Sequence, residues 1–328
     1  MEMTLDVRNL RIHYKTMRGY AKAVDGVSFG LRRGEILGVA GESGCGKSTL
    51  GNALVLVKPP MYYISGEALF EGLNLFDLPR MSMDAIRYAK ISLIPQYAMN
   101  AMSPTKKIGV FIKDILGQHG VRLDAAMRER IRERIALVNL PPDVLRKFPV
   151  ELSGGMKQRA LMVIATLLDP VVLIADEITS ALDVTSQRYV VDMIADFRDK
   201  GIVGSVLFIT HDLAVLHEVS DRIMVLYAGQ IAEIAPADEI INRPKHPYTR
   251  ALVRSLPRPG LRYLEEKLEG IPGTPPALIG VPEGCRFAGR CPCASARCSE
   301  AEPPTEEIGP DHVIACWNWG AAEGGAER

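Results

Sequence analysis

The sequence predicts an α/β fold with an antiparallel β section at its start, a helical section in its middle and a small cysteine-rich extension at its end. Three observations carry that expectation. A buried-strand pattern, EILGVA (35–40), runs straight into the glycine-rich stretch GESGCGKS (41–48). Three short apolar runs, VVLIA (171–175), VLFIT (206–210) and RIMVLYAGQIAEIA (222–235), alternate with helical or turn segments, as parallel strands with crossover helices do. Five of the chain's six cysteines fall after residue 284.

The first thirty or so residues read as antiparallel strands. VDGVSFGL (24–31) alternates before a turn at Arg33-Gly34. A helix is expected from Lys47 to before the Pro59-Pro60 pair. From about 97 to 168 the pattern is helical. RLDAAMRERIRERIALVNL (122–140) sets apolar residues at helical spacing, with Pro141-Pro142 as the expected stop. A hairpin turn is expected at Ala228-Gly229-Gln230. After Ala235 the composition shifts to Pro and basic residues, which places a boundary near 236. That gives a domain over 1–235 and an extension over 236–328, whose last eight or so residues are expected to be disordered.

Composition narrows the function classes. A chain of 328 residues has room for one large α/β domain and an appendage. Thirty-nine basic residues balance thirty-nine acidic ones, so no broad nucleic-acid surface is indicated and no nucleic-acid partner is expected. The N-terminus alternates like a strand and lacks the apolar core of a secretory signal. ALMVIATLL (160–168) is too short to span a bilayer, so a cytosolic chain is expected, with any membrane association coming through partners. In a reducing cytosol, clustered cysteines read as metal or redox chemistry before structural disulfides.

GESGCGKS fits G-x-x-x-x-G-K-[ST] between a strand and a helix, the context a phosphate-binding loop needs. Gly41, Glu42, Ser43, Gly44, Cys45 and Gly46 would curl backbone N–H groups around phosphate oxygens, aided by the helix N-terminus. Lys47 would reach the β- and γ-phosphates, Ser48 would sit on Mg²⁺, and Thr49 would hold the α-phosphate. Cys45 reads as a small residue in the loop, separate from the tail cysteines. VVLIADE (171–177) ends in two acids: Asp176 to hold Mg²⁺, and Glu177 to polarise an attacking water. LSGGMKQR (152–159) offers Ser153, Gly154 and Gly155 at a helix start as a second anion site. Two chains could bring the two anion sites onto one ligand.

GESGCGKST, Gln96 after a strand, LSGGMKQR, VVLIADEITSALD and ITHD (209–212) stand in the order found in ABC-type P-loop ATPases, which residues 1–235 resemble. The resemblance implies ATP and Mg²⁺ as ligands and a head-to-tail pair of such domains. Ser153, Gly154, Gly155 and Gln158 would then face the partner's ATP. It further implies that Gln96 completes the Mg²⁺ shell, that Asp183 belongs to a loop touching the opposite subunit, and that His211 contacts the γ-phosphate. Catalysis would rest on Glu177, His211 and Lys47. Tyr14, with Tyr20 as alternative, would stack on adenine. Two departures are visible: Ile178 stands where the family often has Pro, and YAMNAMSPT (97–105) is looser than the usual pattern.

RPKHPYTRALVRSLP (243–257) and EGIPGTPPALIGVPEGCRFAGRC (269–291) resemble the ATPases of oligopeptide, dipeptide and nickel importers. Locally, Pro247 also fits a helix start before the amphipathic ALVRSL. The resemblance implies an ATPase that powers import of peptides, or of oligosaccharide or nickel. It would work with a second ATPase, expected to be a paralogue, two membrane permeases and an extracytoplasmic solute-binding protein. The chain would then sit peripherally on the cytoplasmic face of the membrane. Rival readings are a soluble ABC ATPase acting on DNA or ribosomes, and a redox sensor. Cys285, Cys291, Cys298 and Cys316 are spaced C-x5-C-x6-C-x17-C, without the paired knuckles of a zinc ribbon. Four thiolates can hold an iron–sulfur cluster, and the resemblance implies a [4Fe–4S] cluster, with Cys293 as an extra thiol. Zinc, disulfides or free thiols remain open.

Overall fold

The computed structural model describes residues 2–98, 102–180, 182–256 and 270–320. The expected disorder at the C-terminal end, the middle of YAMNAMSPT, Ala181 of the SALD loop and Pro257 and Glu269 of the two extension motifs lie outside the described residues. Elements run β1 (Met3–Thr16), β2 (Gly19–Arg32), β3 (Ile36–Ala40), α1 (Lys47–Ala53), β4 (Met61–Phe70), β5 (Leu73–Asn74), α2 (Arg80–Ile86), β6 (Ile91–Ile94), α3 (Ile108–Gln118), α4 (Ala125–Leu137) and α5 (Gly154–Ala165). They continue with β7 (Val172–Asp176), α6 (Val184–Asp199), β8 (Ser205–Ile209), α7 (Leu213–Val219), β9 (Arg222–Tyr227), β10 (Gln230–Pro236), α8 (Ala237–Asn242), α9 (Pro247–Arg254), α10 (Ala296–Glu300), β11 (Glu306–Gly309) and β12 (His312–Ile314). No helix among the described residues is long and apolar enough to cross a membrane.

The chain divides into two compact units. One comprises Met1–Leu5, Leu31–Ile36 and Phe70–Phe208. Its strands lie in the order β8-β7-β6, with β6 and β7 parallel in the register Ile91↔Val172 to Ile94↔Ala175. Every residue of β7 is buried, as expected of a strand covered on both faces. α5 packs on β6, and α4 packs on α5. Asp124 caps α4, its carboxylate accepting the Met127 N–H at 2.9 Å. The helix stops at Leu137, short of the prolines, because Asn139 takes a left-handed φ of 50°.

The other unit comprises Asp6–Gly30, Leu37–Leu69 and Ile209–Arg328. Strands β2, β1 and β4 lie side by side in that order. The alternation of β1 breaks at Asn9, whose φ of 46° returns Leu10 to the buried face; Asn tolerates this region better than most residues. The unit's other strands lie side by side in the order β11-β12-β10-β9-β3. There β3 pairs parallel with β9, from Leu37↔Arg222 to Ala40↔Val225. β9 and β10 form the expected hairpin, with Ala228 and Gly229 both at positive φ. α9 begins at Pro247 as the sequence suggests, capped by His246 Nδ1, which accepts the Tyr248 N–H at 3.0 Å.

The extension is sewn into this second unit. β12 pairs antiparallel with β10 through Glu233↔Ile314 and Ile234↔Val313, and α8 and α9 pack on β10. Glu233, fully buried, accepts the Lys245 N–H at 2.8 Å, the His246 N–H at 3.0 Å and a bond to His312 Nε2 at 2.8 Å. Burial alone would raise its carboxyl, but these bonds, His312 first, hold it below the usual range.

Candidate functional site

The phosphate-loop residues lie in the second unit. At Gly41, with φ 144°, a Cβ would meet the Leu226 carbonyl oxygen at 2.2 Å. At Gly46, with φ 107°, it would meet the Ala23 carbonyl oxygen at 2.0 Å. Both positions therefore require glycine for the fold itself. The loop is pinned between them: Gly229 N–H donates to Cys45 O at 2.8 Å, and Cys45 N–H to Glu42 O at 3.2 Å. Burial pushes the Cys45 thiol up, which suits an inert packing role. Ser43 and Gly44 face solvent.

Lys47 is buried, and its Nζ donates to Gly41 O at 2.6 Å and Glu42 O at 3.2 Å. The ammonium is thus aimed back into the loop where phosphate oxygens would sit. Ser48 and Thr49, both half-buried, open α1. Thr49 Oγ1 donates to Tyr14 Oη at 3.3 Å, so Tyr14 reaches the loop. Tyr20 instead lies half-exposed, edge-on to Tyr62 at 6.4 Å. His211 is exposed just before α7, whose N-terminus is capped by Asp212.

The carboxylate and signature residues lie in the first unit. Asp176 is buried at the C-terminal end of β7, and Glu177 follows at a left-handed φ of 51°. A cavity of about 20 Å³ gathers Pro95, Ala98, Gln158, Glu177, Ile178 and Ser180. Gln96 is exposed beside it in sequence. Ser180 Oγ donates to the Glu177 carbonyl at 2.9 Å, which helps hold this unusual backbone. Asp183 caps α6, accepting from Ser186 N at 2.9 Å and Ser186 Oγ at 2.7 Å, and those bonds hold its carboxyl low. Ser153 caps α5, accepting the Met156 N–H at 3.3 Å, and Gly154 is exposed. Gln158, grouped with these by sequence, is instead buried, and it turns inward to line the cavity.

Ser48, Asp176 and Gln96 each offer an oxygen of the kind Mg²⁺ takes. The cysteines do not form the expected ligand set: among the described residues, no group of three or more His, Cys, Asp or Glu is arranged to hold a metal ion. All five tail cysteines are free thiols. Cys298 Sγ faces Ser295 Oγ at 3.4 Å and Asn318 Nδ2 at 3.6 Å, and Cys316 Sγ accepts the Asn318 N–H at 3.4 Å. Burial pushes Cys291 up to about 12 and Cys316 up to about 11, each reinforced by neighbouring thiols. At neutral pH Cys291 and Cys316 therefore carry protons, which thiolate ligands would have to lose.

Sequence reasoning missed the residues that hold the phosphate loop from the extension. Arg290 donates from Nη1 to Glu42 Oε2 at 2.6 Å and from Nη2 to Glu42 Oε1 at 3.0 Å. Tyr248, fully buried, accepts the Glu42 N–H at 2.9 Å. Arg286 pairs with Asp25 and donates to Ala228 O. Tyr227, Tyr248 and Phe287 pack as an aromatic cluster beneath, with ring centroids 4.5–5.3 Å apart. A separation of 248 residues between Arg290 and Glu42 leaves no periodic signal for their pairing.

Residues 24–180 match the family "ABC transporter", and residues 232–298 match "Oligopeptide/dipeptide transporter, C-terminal region". The oligopeptide transport ATP-binding protein OppD of Bacillus subtilis is 41% identical over 317 residues, covering 95% of this chain and 88% of the relative. The dipeptide transport ATP-binding protein DppD of the same organism is 39% identical over 321 residues, covering 97% and 95%. Among solved structures, a dimeric ATP-binding cassette bound to ADP and Pi superposes with a TM-score of 0.63 at 23% identity, covering 71% of this chain and 98% of that one. CbiO1 of Clostridium perfringens, part of an ABC transporter complex, gives 0.61 at 23% identity, covering 74% and 92%. Both likenesses concern the fold.

Proposed function

This chain belongs to the family of ATP-binding subunits of oligopeptide and dipeptide ABC transporters, and from that premise we propose that it is the ATP-hydrolysing subunit of an importer for peptides or related solutes. The observation that carries the reading is the phosphate loop. Two glycines are forced by backbone contact at 41 and 46, and the buried Lys47 ammonium is aimed at the loop carbonyls. ATP phosphates would take over Lys47 Nζ from Gly41 O and Glu42 O, with the α1 N-terminus adding its partial charge.

The other roles follow residue by residue. Ser48, Asp176 and Gln96 would hold Mg²⁺, which when bound draws charge from the phosphates. Glu177 would orient and deprotonate the attacking water, and His211 would steady the γ-phosphate. Tyr14, already in contact with Thr49, is favoured over Tyr20 as the adenine-stacking ring. Ser153, Gly154 and Gly155 would meet the nucleotide of a second ATPase, a paralogue by our reading, with Asp183 in the loop that touches it. Residues 1–235 would act as the cassette, with 236–328 as an extension built onto it. Two permeases would hold the chain at the cytoplasmic face, and an extracytoplasmic binding protein would supply the solute.

A [4Fe–4S] cluster on Cys285, Cys291, Cys298 and Cys316, or zinc in its place, is the finer reading of the extension. It requires the four thiols to close up and lose their protons, and no step of the ATP chemistry passes through it. A colourless, iron-free and zinc-free protein after anaerobic purification would remove it.

Nucleotide titration and ATPase assay test the main reading. Lys47→Ala is expected to abolish ATP binding. Glu177→Gln is expected to bind ATP while turnover in the assembled transporter falls ~10²–10⁴-fold. Normal turnover in the Glu177→Gln complex would sink that role.

A further inference from the structure

We propose that Arg290 is a positioning residue for nucleotide: it neutralises the carboxylate of Glu42 inside the phosphate-binding loop and holds it turned toward the extension. The inference rests on the phosphate-loop reading above and deepens it.

Glu42 is an anion in a loop whose task is to receive a polyanion. Unbalanced, its carboxylate would repel the phosphates and compete with them for Lys47. The structure balances it with a two-pronged pair, Nη1 to Oε2 at 2.6 Å and Nη2 to Oε1 at 3.0 Å, the geometry that arginine alone supplies. The guanidinium is only 6% exposed in its side chain. The Glu42 bonds, larger in effect than the burial that opposes them, raise its pKa further, so the guanidinium stays charged at any working pH.

Arg290 is itself fixed on every side. Its Nε donates to Pro272 O at 2.7 Å, Nη2 to Ile271 O at 3.2 Å and Nη1 to Tyr227 Oη at 3.1 Å, and its guanidinium lies 5.8 Å from the Tyr227 ring centroid. With its donors engaged in this way, the side chain is not poised to swing out and bind phosphate. It acts on nucleotide only through Glu42. The loop backbone is held at the same residue by Tyr248, which takes the Glu42 N–H. The extension therefore controls both the charge and the backbone direction of the loop's second position.

The test is equilibrium titration of the full chain with a fluorescent ATP analogue and Mg²⁺, with melting curves as a check on folding. Arg290→Gln is expected to weaken binding ~10-fold, more at low ionic strength. Adding Glu42→Gln to Arg290→Gln is expected to recover binding to within ~3-fold of the parent, because the unbalanced charge is gone; lost packing alone could not be rescued this way. If Arg290→Gln does not fold, Arg290→Lys replaces it, with ~3-fold weakening and the same rescue expected. Wild-type binding by the single variant, or a double variant as weak as the single, overturns the inference. Lys47→Ala runs alongside. If it binds normally, the phosphate-loop reading itself fails; if it does not bind, the Arg290 result stands or falls alone.

Discussion

Two glycine-bearing turns open helices in this molecule, and they obey opposite constraints. In the phosphate loop before α1, a Cβ at Gly46 would sit 2.0 Å from the Ala23 carbonyl oxygen and one at Gly41 2.2 Å from that of Leu226. At the start of α5, a Cβ on Gly154 would meet nothing within 4 Å, and one on Gly155 would only graze Ser186 Oγ at 4.0 Å. The first pair of glycines is demanded by the chain's own packing. The second pair is not: its side-chain positions are open. That difference is what the proposed roles require, a loop that builds its own site and a turn that would complete another's.

The contrast can be broken most directly at Gly46. Gly46→Ala combines a left-handed backbone with a carbonyl clash, and should cost roughly 4 kcal/mol of stability together with nucleotide binding. A denaturant midpoint equal to the parent's would refute the packing argument. Acidification sharpens the contrast next. His246 supports the phosphate-loop side by capping α9 ahead of Tyr248, and burial pushes its pKa down to about 4. Because the folded pKa lies below the unfolded value, the contribution is complete above about pH 6.5. It is lost as pH falls towards 4, in all about 3 kcal/mol at 1.36 kcal/mol per unit. Glu233, held low, adds its own loss only further down, below about pH 4.5. Urea melts between pH 7 and 4 should show this slope. His246→Asn, which keeps a capping acceptor without titrating in this range, should flatten its upper part.

The smallest effect is the most discriminating. Gly154→Ala should stabilise the isolated chain by about 0.5–1 kcal/mol, since alanine is the better helix former and meets no neighbour. Turnover in the assembled transporter should nevertheless fall. If the variant melts lower than the parent, the second turn is a structural feature like the first.

Features set by neighbouring residues are legible in the sequence alone. The strand-loop-helix around 35–53, the hairpin at Ala228-Gly229 and the Pro247 helix start are all local, and each forms where the sequence pattern places it. What escapes such reasoning is long-range or inward. The kink at Asn9 is invisible to plain alternation, and Gln158 follows Gly154 and Gly155 by about a turn or less yet faces inward. Nothing local to Arg290 points to Glu42, although that partner lies inside the most recognisable motif of the chain. The cysteine spacing conveys which sulfurs are near one another along the chain, but not the partial burial that pushes the Cys291 and Cys316 thiols up.

The pairing of β12 with β10 makes the extension more than an attachment. Without it, one side of β10 would present bare amides and carbonyls beside Ile231 and Ile234, and Glu233 would lose its His312 partner. A cassette cut after Pro236 would carry a strand ready to zip against any other copy, so trimming the chain to its catalytic core invites oligomers and precipitate rather than a smaller enzyme.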